Sequence, residues 1–155
     1  RQLNDALFHA GLNSGSEFEY VDIHNRLHFY IIDIHRNEED ILSYTVGVRS
    51  LDSDVVRVPA TVSAPKSAGR ISGEGIVEFT VSGDDICRLK AEVKGEGWEA
   101  HLWNEIVAPD AGKNVRVPVY VKTQPGCSRT AEITLTAVSE GNDKVSSSAA
   151  RKIKL

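Results

Sequence analysis

The stretch Cys87–Val121, CRLKAEVKGEGWEAHLWNEIVAPDAGKNVRVPVYV, decides how this chain folds. Successive side chains of a strand point to opposite faces, so alternation of apolar and polar residues marks a half-buried strand. Cys87, Leu89, Ala91 and Val93 share one face, and Arg88, Lys90, Glu92 and Lys94 share the other. Gly95-Glu96-Gly97 then turns the chain, because glycine accepts positive φ at little steric cost. Beyond it Trp98, Ala100 and Leu102 fall on one side and Glu99, His101 and Trp103 on the other, so Trp98 reads as a plug between two sheets. Pro109-Asp110-Ala111-Gly112 is a second turn, and Val115, Val117, Val119 and Val121 form a third apolar face. Pro118 has no N–H to donate, which puts this strand at an edge or leaves its donor side free at that point. The unit reads strand, turn, strand, loop, strand. It has no partner surface of its own, so the rest of the chain has to supply one.

On the N-terminal side, Gln2–Ala10 reads as a short helix, with Leu3 and Leu7 four apart and Gly11 as its stop. Leu27–His35, LHFYIIDIH, is dense in aromatic and β-branched residues and apolar on both faces, as a strand covered on both sides would be. Arg36–Asp40 is a polar turn, and Leu42–Leu51 returns with Leu42, Tyr44, Val46 and Val48 on one face, giving a β-hairpin. Asp52-Ser53-Asp54 is a polar break and the expected boundary between residues 1–52 and 53–155. Val55–Ser63, interrupted at Pro59, and Ile76–Val81 are strands on either side of a Ser/Gly/Pro/Lys-rich loop. Arg129–Ser139 alternates again, Glu140–Asp143 turns, and Val145–Ile153 closes the chain as a weakly apolar edge strand. Strands with turn signals every eight to twelve residues have the rhythm of an immunoglobulin-like sandwich. The expected fold is therefore all-β: an immunoglobulin-like antiparallel β-sandwich preceded by a short helix and a β-hairpin.

Composition narrows the classes of function. A content of 41% hydrophobic and 26% charged residues suits a globular protein. The net charge of −4 lacks the basic footprint of a nucleic-acid binder and does not favour anionic membranes. No apolar run reaches the length of a membrane span. The chain begins at Arg1 and contains no methionine, so we expect a piece of a longer precursor.

Three segments, ICRLKAEVKGEGWEAHL, AGKNVRVPVYV and GCSRTAEITLTAVSEGNDKVSSSA, together resemble the small β-sandwich tail domains appended to secreted bacterial hydrolases. Similar tails occur on α-galactosidases and subtilisin-like proteases. The preceding LHFYIIDIHRNEEDILSYTVGVRSL resembles the segment that joins catalytic domain to tail in secreted zinc metalloproteases of the immune-inhibitor-A type. The resemblance implies an exported parent enzyme that holds zinc, an upstream catalytic domain as partner, and a polymeric protein or carbohydrate substrate. The His-Glu-x-x-His zinc helix of that family is absent from these 155 residues, so no catalytic residue carries over.

Few residues offer chemistry of their own. His24, His28 and His35, with Asp33 between them, are the densest run of potential metal ligands, joined by Asp22 and Glu38. Asp33 and His35 share a strand face, but zinc needs three or four ligands converging from more than one element. Polar residues at the open end of a hairpin explain the run equally well. Trp103 and Tyr120 are candidate ligand contacts; an exposed tryptophan stacks well on a sugar ring, whereas the alternative packs Trp103 on the N-terminal hairpin. Cys87 and Cys127 show no zinc spacing. They form one disulfide, as suits an extracellular protein, or remain two thiols with Cys87 a small core residue. Asp84-Asp85, and Glu140 with Asp143, are acidic turns that lack calcium-loop spacing. Ser146–Ser148 has no accompanying base or Gly-x-Ser-x-Gly elbow, and Gly95-Glu96-Gly97 opens no helix that could cradle phosphate. The leading expectation is a non-catalytic accessory region of a secreted hydrolase, with no cofactor in this chain. A free-standing carbohydrate- or cell-surface-binding module, and a structural subunit with the apolar hairpin as interface, stand as alternatives.

Overall fold

The computed structural model describes residues 19–66 and 69–155. The expected helix at Gln2–Ala10 lies outside the described residues. The chain divides into two compact units between Val55 and Val56, just beyond the Asp52-Ser53-Asp54 break.

The first unit is a three-stranded antiparallel sheet of β1 (Glu19–Asp22), β2 (Leu27–Arg36) and β3 (Leu42–Ser50), in sequence order. Its hairpins turn through Arg26 and Asp40, both at positive φ (58° and 64°), a region that L-residues seldom occupy. Arg26 is anchored there by donating to Asp52, with Nη2 at 2.8 Å. The β2–β3 ladder shifts register between Ile31 and Asp33, so Ile32 is the extra residue of a bulge. Tyr30 and Ile31 are buried, whereas every other residue of β3 presents a bare apolar side chain: Leu42, Tyr44, Val46 and Val48. The expectation that Leu27–His35 is covered along its length therefore holds only as far as Ile32; from Asp33 onward the strand is exposed.

The second unit is an all-β sandwich. Its strands are β4 (Val58–Ser63), β5 (Gly69–Arg70), β6 (Glu74–Asp84), β7 (Cys87–Lys94), β8 (Trp98–His101), β9 (Ile106–Val107), β10 (Asn114–Thr123), β11 (Thr130–Ser139) and β12 (Ser146–Lys154). One sheet has the order β4-β6-β10-β8 and the other β5-β12-β11-β7-β9. All pairings are antiparallel except the short β5–β12 contact. The core forms where the inward faces meet: Val77, Phe79, Val81, Val119 and Val121 from one layer, Leu89, Ile133, Leu135 and Ile153 from the other. Each such side chain contributes about 1.5–3 kcal/mol by leaving water.

The Gly-Glu-Gly turn is glycine for two different reasons. A Cβ on Gly95 would lie 2.6 Å from that of Ala131, and Gly97 sits at φ +71° with the Cys127 Cβ only 2.8 Å from where its own would be. This close turn delivers Trp98 into the core at 5% exposure, and its indole N–H donates to the Ser128 carbonyl at 2.8 Å. The strands on either side of the turn do not pair with each other: β7 joins one sheet and β8 the other.

Pro118 does not mark an edge. Strand β10 lies between β6 and β8. Thr123 N–H donates to the Gly73 carbonyl and Gln124 N–H to the Gly97 carbonyl, so odd-numbered residues of β10 bond toward β6 and even-numbered ones toward β8. Strand β8 reaches back only as far as the His101–Tyr120 pair. The missing donor of Pro118 therefore faces a position where no strand remains among the described residues, which is the second of the two options the proline allows.

The disulfide expected between Cys87 and Cys127 is corrected: both are free thiols. Cys87 begins β7, while Cys127 packs on the turn just past the strand's far end. Seven residue steps along a strand span about 23 Å, and a disulfide needs Cα atoms within about 7 Å.

The contrast between the two tryptophans is testable. Trp98→Ala is expected to lower unfolding free energy by roughly 3–5 kcal/mol through a cavity in the core, whereas Trp103→Ala changes it by less than about 0.5 kcal/mol. Guanidinium denaturation followed by circular dichroism distinguishes them; equal losses would contradict the packing described.

Candidate functional site

Two features of the second unit combine accessible chemistry with defined geometry. The first is aromatic. Strand alternation brings Tyr120 of β10 between Ile76 of β6 and His101 of β8, all in one rung of the outer sheet face. His101 stacks on Tyr120 with ring centroids 5.4 Å apart, and Trp103 meets Tyr120 edge-on at 6.5 Å and 79°. Trp103 is 56% exposed and Ile76 is exposed beside the cluster. The structure thus brings Trp103 and Tyr120 together as a surface patch. His101, which sequence reasoning placed on the same face as Trp103 but did not count as a contact, belongs with them.

The second feature is a slot of about 680 Å³ between the parting strands β7 and β8. Its walls are Leu89–Ala91 on one side and Ala100–Leu102 on the other. Strand β9 covers the outer edge of β7 only at Cys87 and Arg88, and Leu89 N–H still reaches the Glu105 carbonyl at 2.7 Å. That bond shows which way the alternation runs: odd-numbered residues of β7 turn their backbone groups away from β11. Ala91 is next in that set and meets no strand among the described residues. On the opposing wall, Gly97, Glu99 and His101 bond β10, so Ala100 turns its N–H and C=O outward. At the mouth, Arg88 clasps Glu140 with Nε–Oε1 at 2.7 Å and Nη2–Oε2 at 3.4 Å. Glu105 and Asp143 also line the slot.

The possible metal ligands are not brought to one point. His35 Nε2 lies 3.1 Å from Asp33 Oδ2 on an exposed strand end. His28 is buried, stacked on Tyr30 with its Nδ1 2.8 Å from the phenol oxygen and its Nε2 3.3 Å from Glu19 Oε2. His28 and His35 stand seven residues apart on one strand, about 23 Å. Asp22 is engaged by Asn25, whose side-chain and backbone N–H groups hold the Asp22 carboxyl below its ordinary range. Among the described residues no group of three or more His, Cys, Asp or Glu converges. The acidic turns are occupied similarly: Glu140 by Arg88, and the Asp85 carboxylate 3.8 Å from the Cys87 sulfur.

That sulfur is chemically quiet. Burial first, then the charge and hydrogen bond of Asp85 and the charge of Glu140, push the Cys87 thiol up to about 12. The thiolate is the nucleophile and metal ligand, so Cys87 serves neither role near neutral pH.

Comparison with known proteins gives the chain relatives. A family model described as a Peptidase M6-like domain matches residues 76–155, and one described as a middle domain matches residues 1–51. A protein of Arthroderma benhamiae named "Putative secreted metallopeptidase" is 35% identical over 170 residues, covering 92% of this chain and 25% of that protein. The chain thus spans a quarter of that relative's length. Among solved structures, a FixG-related protein from Vibrio parahaemolyticus has 15% identity and a TM-score of 0.44, with 63% of this chain and 98% of that one covered.

Thiol titration tests the description of the two cysteines. In native protein at pH 8, Ellman's reagent is expected to count Cys127 alone, and both thiols in guanidinium; a disulfide would give none in either. An unfolded thiol ionises near 8.5, so the stability contributed by keeping Cys87 neutral is complete below that pH. It is lost as pH rises toward about 12. Cys87→Ser should flatten that alkaline decline in melting temperature.

Proposed function

We propose a function from one fact: the chain belongs to the Peptidase M6-like domain family, through residues 76–155. Our reading is an accessory region of a secreted metallopeptidase that lacks an active site of its own and serves stability, spacing or substrate docking. The name of the 35% identical relative supports both export and a metallopeptidase parent. That relative is fungal, so the reading takes over export and not the bacterial source that the sequence resemblance implies. The finer assignment, to the tail of an immune-inhibitor-A-type enzyme, rests on the LHFYIIDIH segment and its neighbours. Zinc needs at least three protein ligands, and the described residues bring no such group together. They do not fit the metal, and no step of the reaction is routed through them.

The structural observation that supports docking of this region within the precursor is the bare stripe Leu42, Tyr44, Val46 and Val48, each 41–50% exposed along one face of β3. Apolar stripes of this kind mark interaction surfaces, and a catalytic domain of the same precursor would cover it. The expected interface is therefore β3 rather than Phe29–Ile34, where Tyr30 and Ile31 are already buried. A second reading, a free-standing module for carbohydrate or a cell surface, is favoured by the exposed indole of Trp103 beside Tyr120. The alternative of a structural subunit would use the same stripe on β3.

The whole precursor should hydrolyse casein in a zinc-dependent manner and the isolated 155-residue chain should not. Val46→Asp with Val48→Asp in the precursor should speed tryptic release of this region. Hydrolysis by the isolated chain would refute the accessory reading, and glycan-array binding lost in Trp103→Ala would establish the second one.

A further inference from the structure

We propose that the slot between β7 and β8 is a docking site for an extended polypeptide segment carrying a lysine or arginine, bound as an added strand. Most hairpins close by pairing their two strands. Here the strands part at Gly95–Gly97 and enter different sheets, so two free edges face one slot. Ala91 offers an N–H and a C=O from one wall, and Ala100 offers the same from the other. A sheet edge presents donors and acceptors at strand spacing, and an extended backbone is the ligand that matches that spacing.

Length and charge refine the ligand. The walls Leu89–Ala91 and Ala100–Leu102 each span three residues, about 10 Å, which suits three or four residues of extended chain. Alternate side chains of such a segment would point toward the core-lining Leu89 and Leu102 and toward the mouth. Arg88 is engaged with Glu140, and Lys90 with Glu92 at 3.0 Å. Glu105 and Asp143 form no side-chain ion pair among the described residues. These two acidic residues of the lining complement a basic side chain and disfavour an acidic one. The proposal goes beyond the accessory reading and does not depend on any upstream metal.

The intact chain, labelled with 15N, is titrated with the capped pentapeptide acetyl-Val-Thr-Lys-Thr-Val-amide. Saturable amide shifts at Ala91, Ala100 and Leu102, with Kd below about 1 mM, and slowed exchange of the Ala91 and Ala100 amides are expected. Replacing the peptide lysine by serine, or Glu105→Gln with Asp143→Asn in the protein, should each weaken binding about fivefold at low salt. Ala91→Pro removes a donor that the β11 ladder does not use and should weaken binding more than tenfold. If that variant fails to fold, Ala100→Pro tests the opposite wall. Absence of saturable shifts, shifts confined to Trp103 and Tyr120, undiminished binding by the proline variants, or a concentration-dependent dimer that protects the Ala91 amide would each overturn the proposal.

Discussion

The structure depends on one packing constraint: the indole of Trp98 must reach the core immediately after a turn that has no room for a side chain at either end. The turn lies against Ala131 and Cys127, so both its ends are glycine. The indole N–H finds its acceptor in the Ser128 carbonyl, which allows a polar atom to enter the core without an unmet hydrogen bond. With the indole in the core, β7 and β8 do not continue as a paired hairpin. Each joins a different sheet, and the sandwich closes around the division.

The rest of the second unit follows from that division. Because β8 is short, β10 is paired on both sides only near its C-terminal end, and Pro118 is accommodated where the ladder has already stopped. Because β9 reaches only two residues of β7, the remaining edge stays open and a slot forms. The outer face of the other sheet, β4-β6-β10-β8, gathers His101, Tyr120 and Trp103 at its rim. The accessible chemistry of the unit thus concentrates around β8, the strand that the tryptophan displaced. Cys87 sits among the buried residues with its thiol held neutral and contributes volume rather than reactivity.

Much of this was legible before any coordinates. Period-two alternation located β7, β8, β10 and β11, assigned the inward faces correctly, and identified Trp98 as the plug. It did so because burial of one sheet face imposes a local, repeating pattern. The two-residue strands β5 and β9 were missed, since two residues are too few to display a period. The disulfide was misjudged because two cysteines in strand-rich sequence say nothing about distance in space. The histidine run was adjacent in order, yet a strand separates its members at about 3.3 Å per residue instead of gathering them.

Sequence by itself determined the strand content, the inward faces, the glycine turn and the resemblance to a tail domain, all of which rest on neighbours within a few residues. Tertiary structure alone decided that β7 and β8 separate, that β3 leaves its apolar stripe bare, and that two free edges face one slot. Those outcomes depend on which strands pair. Pairing is a choice among distant partners that compete for the same backbone hydrogen bonds, and no local pattern records which partner wins.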